Sequence, residues 1–280
     1  MTLTKIMALL AGLFALSVPV WAQDARQHVA PSWHGLSGLY VTPTARTIGA
    51  GRAGFGYSES KHVEVLDGGQ SHDRQVRAEM VYGVNDRLEV GVSYLRNLFD
   101  VDWTFAPQLE HRTKITYSLK YLAVEEDYDG FRPAIALAVR DIRDTDRDTP
   151  PLKDTHNGRK IFLLASKRLR NNPETGRFVD GHMGVTYNYH GASALFGMEM
   201  TMSPTISFIA EGMWDSPFVN FSGSYMNTRY RGTDDHKGRF VYCTGLRMYP
   251  DIAPGMVVDS GFVGDGSFEF SFGISFVRGL

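Results

Sequence analysis

Cysteine is almost absent from this 280-residue chain: Cys243 stands alone, so no internal disulfide can form and the fold must be held by other means. No cysteine lies beside the expected cleavage site either, so the mature protein is not expected to be a typical lipoprotein. Charge of one sign is lacking too. With 29 Lys and Arg against 31 Asp and Glu, the formal net charge is -2, which leaves no basic footprint for a nucleic-acid partner. Beyond the first two dozen residues there is no apolar run near the roughly 20 residues that a spanning helix needs.

The apolar run that does exist is N-terminal. Lys5 precedes Ile6 to Val20, and Val20-Trp21-Ala22 offers the small or aliphatic residues read by a signal peptidase. Residues 1–22 therefore read as a cleaved export signal, residues 23–52 as an extended N-terminal segment, and residues 53–280 as one β domain. A mean hydropathy slightly below zero, beside 43% hydrophobic residues, fits an exported membrane protein only if lipid-facing and interior residues alternate.

They do alternate. Phe268, Phe270, Phe272, Ile274 and Phe276 take every second position of the last run, with Glu269, Ser271, Gly273 and Ser275 between them. A period of two puts the aromatic set on one face of a strand and the small or polar set on the other. Val76 to Tyr82 and Leu88 to Tyr94 form a hairpin around an Asn-Asp turn, with Tyr82 and Tyr94 on the apolar face. The pattern recurs at Ile115 to Tyr121, Ile135 to Val139, Met183 to Tyr189 and Phe196 to Met202, followed by Ile206 to Trp214, Val219 to Tyr225, Phe240 to Met248 and Met256 to Phe262. Strands are also read at Gly54 to Val65 and at Lys160 to Leu169, the latter in ambiguous phase.

The fold class expected is therefore all-β: a transmembrane antiparallel up-and-down β-barrel of about 12 to 14 strands in a bacterial outer membrane. Thirteen runs conflict with the even number usual in such barrels, so either Leu39 to Thr42 adds a strand or runs between Lys160 and Tyr225 are misread. Asn97 to Glu110, Asp144 to Asn157 and Thr228 to Gly238 read as longer loops. A soluble β-sandwich shares the alternation; the aromatic outer faces, the hairpin order and the export signal favour the barrel.

Several segments resemble chemical motifs. Gly49-Ala50-Gly51-Arg52-Ala53-Gly54 matches the dinucleotide fingerprint, but Phe55 to Ser58 continue as strand where a helix must follow, so it reads as a glycine-rich turn. Asp144, Asp146 and Asp148 open like a calcium loop, yet Thr149 and Thr155 replace the required glycine and glutamate. Asp234-Asp235-His236 suggests an outer-membrane hydrolase, without a locatable nucleophile. No catalytic residue, metal site or cofactor is assigned, and Cys243 reads as a small interior filler.

The inward charges carry more. Arg77, Glu79, Arg87, Glu89, Lys114, Lys120, Arg140, Glu199, Glu211, Arg247 and Glu269 fall on the lumen side of their strands. Mixed signs of this kind either pair across a narrow interior or line a watery path.

Gly38-Leu39-Tyr40-Val41-Thr42-Pro43-Thr44-Ala45-Arg46, followed by Gly51 and an alternating strand, resembles the N-terminal signature of YjbH-type outer-membrane proteins; Gly38, Leu39, Pro43, Thr44, Ala45 and Arg46 carry the likeness. Phe208 to Gly212 and Gly245 to Pro250 are similar to hairpins of those barrels. The resemblance implies a non-enzymatic role in exopolysaccharide or capsule export, with outer-membrane lipid and lipopolysaccharide, an exopolysaccharide and its export machinery as partners. A passive channel, a structural barrel and a hydrolase are the alternatives. Proline at position 43 fixes a bend in an extended segment that tucks under or into the barrel.

Overall fold

The computed structural model describes residues 29–32, 35–66, 69–103, 108–142, 159–172, 175–188, 191–214, 240–264 and 269–279. Among them all regular structure is β. Two short strands, β1 (Ala30–Pro31) and β2 (Ser37–Gly38), pair with each other. Twelve longer ones follow: β3 (Arg52–Leu66), β4 (Gly69–Gly83), β5 (Leu88–Trp103), β6 (Gln108–Val124), β7 (Ala134–Arg140), β8 (Lys160–Asn172), β9 (Arg177–Asn188), β10 (Gly191–Ser203), β11 (Ile206–Trp214), β12 (Phe240–Met248), β13 (Met256–Gly264) and β14 (Glu269–Gly279).

Each of the twelve pairs antiparallel with its sequence neighbours, and β14 closes on β3 from Phe270↔Lys61 to Gly279↔Arg52. Closure removes every free strand edge, which lets a sheet cross a bilayer with its backbone groups satisfied. The aromatic final run is thus the closing seam.

Twelve strands resolve the conflict in the count. Leu39 to Thr42 forms no barrel strand, and β11 pairs directly with β12, Trp214 opposite Phe240. The Val219 to Tyr225 run, and the Asp144 to Asn157 and Thr228 to Gly238 loops, lie outside the described residues, as do the export signal and the Asp234-Asp235-His236 triplet. Asn97 to Glu110 corrects differently: Asn97–Trp103 belongs to β5 and Gln108–Glu110 to β6, because ladder pairing persists through these polar residues. Polar sequence here does not mark the end of the strand.

The two faces separate by chemistry. Leu137, Leu163, Val185, Phe196, Phe262 and Phe272 are exposed around the outside, whereas Ala136, Phe162, Leu164, Ser193 and Ser271 are buried inside. Such an outward belt would be a large apolar patch in water and is solvated only by lipid. In β8 the ambiguous phase resolves with Lys160, Phe162, Leu164, Ser166 and Arg168 inward. A lysine and an arginine on the same face as phenylalanine and leucine defeat a simple polar-in pattern.

One end of the barrel carries the connections 84–87, 125–133, 173–176, 204–205 and 249–255, together with the start of β3 and the end of β14. Gly49 and Gly51 adopt φ of 91° and 66°, as the glycine-rich turn entering β3 requires.

Candidate functional site

A barrel of eight strands can be filled by its own side chains, and twelve enclose more than that. Residues 29–32 and 35–48 fill the difference. They run inside the lumen from the end where β3 begins and are buried against the wall around its circumference: Leu36, Leu39, Ala45 and Ile48 are essentially inaccessible. The segment doubles back on itself through the β1–β2 pair and a Gly38↔Pro43 bridge.

The wall is shaped to receive this plug. A Cβ on Gly91 would strike the carbonyl oxygen of Gly35, and one on Gly83 the carbonyl oxygen of Gly49, so only glycine permits the backbone approach. Farther round, a Cβ on Gly197 would lie 2.5 Å from Leu39 Cδ1, and on Gly273 2.7 Å from Tyr40 Cε2.

Three polar anchors hold it. At the first, Lys120 Nζ lies 2.9 Å from Glu89 Oε1, with both side chains wholly buried. Lys120 donates to the carbonyls of Ser37 (2.8 Å), Thr44 (3.1 Å) and Arg46 (2.6 Å). Glu89 accepts from Ser37 N (2.9 Å), Ser37 Oγ (2.6 Å) and Ile48 N (3.0 Å). A paired charge whose remaining lone pairs and protons are also satisfied can tolerate complete burial.

At the second anchor Arg46 reaches out of the plug to Asp180 on β9 and to Glu126 in the β6–β7 connection, the latter at 2.8 Å. Arg168 Nε donates to Asp180 from the other side at 2.8 Å, while its guanidinium stacks 4.2 Å from the Phe178 ring. Burial opposes the charge on Arg46, but Asp180 and Glu126 outweigh it and hold its pKa above the ordinary arginine value. Beside this anchor Ala45 N donates to Ser166 Oγ (2.9 Å), which contacts His182 Nδ1 (2.8 Å).

At the third, Glu211 on β11 accepts from three successive amides, Tyr40 N (3.1 Å), Val41 N (3.1 Å) and Thr42 N (2.7 Å), and from Thr42 Oγ1 (2.7 Å). The tip of the plug is thus a backbone nest around a carboxylate. Alongside, Arg247 binds Asp259 (2.8 Å) and Glu199 (3.4 Å), and Tyr249 donates to Glu199 at 2.6 Å. Tyr40, Val41, Cys243 and Val263 form a small apolar cluster under the tip, which is where the lone cysteine serves.

Of the charges expected inside, Arg77, Glu79, Glu89, Lys120, Arg140, Glu199, Glu211 and Arg247 are buried in the lumen. Arg87 is a correction: it closes the β4–β5 turn, is exposed, and bonds Glu125 at 2.7 Å, because the strand alternation begins only at Leu88. Lys114 and Glu269 lie in β6 and β14, and their side chains fall outside the described residues. The sequence reading misses Lys160, Arg168, Asp180 and Asp259. Each sits at an inward step of its strand, so alternation would have found them once phase was fixed.

Gly38, Leu39, Pro43, Thr44, Ala45 and Arg46 are all plug residues, and each takes part in the bridge, the wall contacts or the anchors. A closed barrel with an apolar exterior and a charged interior filled by its own N-terminal segment is a plugged β-barrel of transmembrane type. No family model matches the sequence, and no curated protein matches it significantly. Among solved structures the chain is similar to the outer membrane protein Omp33 of Acinetobacter baumannii (11% identity, TM-score 0.45, covering 81% of this chain and 99% of that one). It is also similar to the COG4313 outer membrane channel of Pseudomonas putida F1 (14%, 0.42, 86% and 98%) and to the translocator domain of the autotransporter NalP of Neisseria meningitidis (10%, 0.41, 82% and 88%).

Proposed function

We propose that the protein is a non-enzymatic barrel of the bacterial outer membrane, anchored by lipid and lipopolysaccharide around its apolar belt, that assists export or surface assembly of an exopolysaccharide. The observation that carries this reading is the use made of the Gly38 to Arg46 segment. The residues that resemble the exopolysaccharide-associated family are the ones that seat the plug, so the resemblance falls on a working part of the molecule rather than on generic strand pattern. The export signal and the belt support the location.

A filled lumen weighs against a permanently open channel. Hydrolysis is weighed down by access: Ser166 and His182 are within hydrogen-bond distance, but Ser166 is sealed beneath Ala45 of the plug and no reacting group of a substrate reaches it.

Deletion of the gene in its host, followed by measurement of secreted and surface polysaccharide under producing conditions, tests the proposal. A marked loss or a changed chain length is expected. Unchanged amount and composition would refute the export role, and hydrolytic activity abolished by His236→Ala would replace it with the enzyme reading.

A further inference from the structure

The lumen charges are sorted by side. Among the described residues, the arc β4–β8 with its connections contributes five buried cations, Arg77, Lys120, Arg140, Lys160 and Arg168, against four enclosed carboxylates, Glu79, Glu89, Glu126 and Asp141. The facing arc β9–β13 contributes four buried carboxylates, Asp180, Glu199, Glu211 and Asp259, against one cation, Arg247. Among these residues one arc is therefore net +1 and the other net -3 (five less four, and one less four), so negative charge is concentrated on the β9–β13 side. The imbalance sets a field across the lumen.

What lies between the walls is chemically plain. Over residues 35–48 the plug carries one charge, Arg46; its polar contacts with the walls are otherwise made by peptide groups and hydroxyls, giving protons to Glu211 and Glu89 and offering carbonyl oxygens to Lys120, beside apolar contacts of Leu36, Leu39, Tyr40, Val41 and Ala45. At the three anchors the walls thus solvate a thin chain through its donors and acceptors.

We propose that this transversely polarised cleft is a binding path for an extended, uncharged, hydroxyl-rich polymer, and that residues 35–48 occupy it at rest as a displaceable stand-in. The inference rests on the export reading and names the chemistry of its cargo. Hydroxyl groups replace both halves of the peptide group, donating to Glu211, Asp180 and Glu89 and accepting from Lys120 and Arg247, so the buried charges keep partners when the plug leaves. A polyanion would meet four carboxylates on one wall and lose there what it gained on the other. Release is reversible in principle because all three anchors are hydrogen bonds and ion pairs, which water can replace.

The test uses the full-length protein in lipid vesicles with two linear oligosaccharides of equal length, one neutral and one carboxylated. In a Cys243→Ser background, Leu39→Cys with Gly197→Cys locks the plug to β10 by a disulfide. Glu211→Gln with Arg46→Ala loosens it. The loosened protein is expected to pass the neutral chain on the order of tenfold or more faster than the oxidised lock, with reduction of the lock restoring the unlocked rate and the carboxylated chain lagging throughout. Equal flux in locked and loosened proteins, or the carboxylated chain passing as fast as the neutral one, would overturn the inference. The reduced lock serves as the folded reference if the loosened protein proves unstable. Neutral flux together with unchanged polysaccharide in the deletion strain would remove the export reading alone and leave the cleft's chemistry standing.

Discussion

Lys120 and Glu89 show how much a single residue carries here. Neither side chain touches solvent, and each satisfies several plug groups as well as its partner. Lys120→Ala strands a carboxylate in the lumen, a loss that costs about 3–5 kcal/mol for buried pairs. Reversible urea unfolding in lipid or detergent should therefore show a lowered midpoint, and Lys120→Met with Glu89→Gln should recover a substantial part of it. A midpoint equal to wild type in the single variant would mean that the pair is hydrated. Glu211→Gln acts more locally: amide exchange at Tyr40, Val41 and Thr42 should quicken while the β11 amides remain protected, since the carboxylate binds the plug tip by charge-assisted bonds that an amide makes only weakly.

At the scale of the element, legibility tracked how many faces a strand needed. The hairpin of β4 and β5 and the seam β14 were readable because one face is aliphatic or aromatic and the other small or polar, so period two stands out. In β8 the inward face mixes Lys160 and Arg168 with Phe162 and Leu164, because its lumen side contacts both apolar and ionic parts of the plug; phase could not be read from polarity alone. Arg87 failed for the opposite reason, a turn residue counted into the strand. Two substitutions test the assignment of faces. Leu163→Arg, on the exterior, should cost about 2–4 kcal/mol if that position lies near the middle of the bilayer, and less toward either interface. Gly91→Val puts side-chain bulk where the Gly35 carbonyl sits, so the plug must shift; slow, heat-modifiable migration of the folded barrel should persist while protease begins to cut within residues 29–50.

For the whole molecule, the barrel is legible in the sequence, and so is an N-terminal segment that tucks under or into it, but not which of the two it does or what it does to the lumen. Strand alternation is a local property, whereas filling depends on strand number, which thirteen runs left undecided until β11 was seen to pair with β12. The anchors are half visible. Glu89, Lys120 and Glu211 stand out as inward charges and Arg46 as part of a signature, but nothing in the spacing of residues 41 to 171 positions apart says that they meet. Once joined, the pieces describe one object: a lipid-facing cylinder whose polar interior is closed by its own extended segment. Cross-linking tests that most directly. With Cys243 replaced by serine, Leu39→Cys and Gly197→Cys should form a disulfide in nearly all molecules of the outer-membrane fraction, and the cross-linked protein should still migrate as a folded barrel before boiling. Two free thiols that a bulky water-soluble reagent labels readily in the folded protein would contradict a plug inside the lumen.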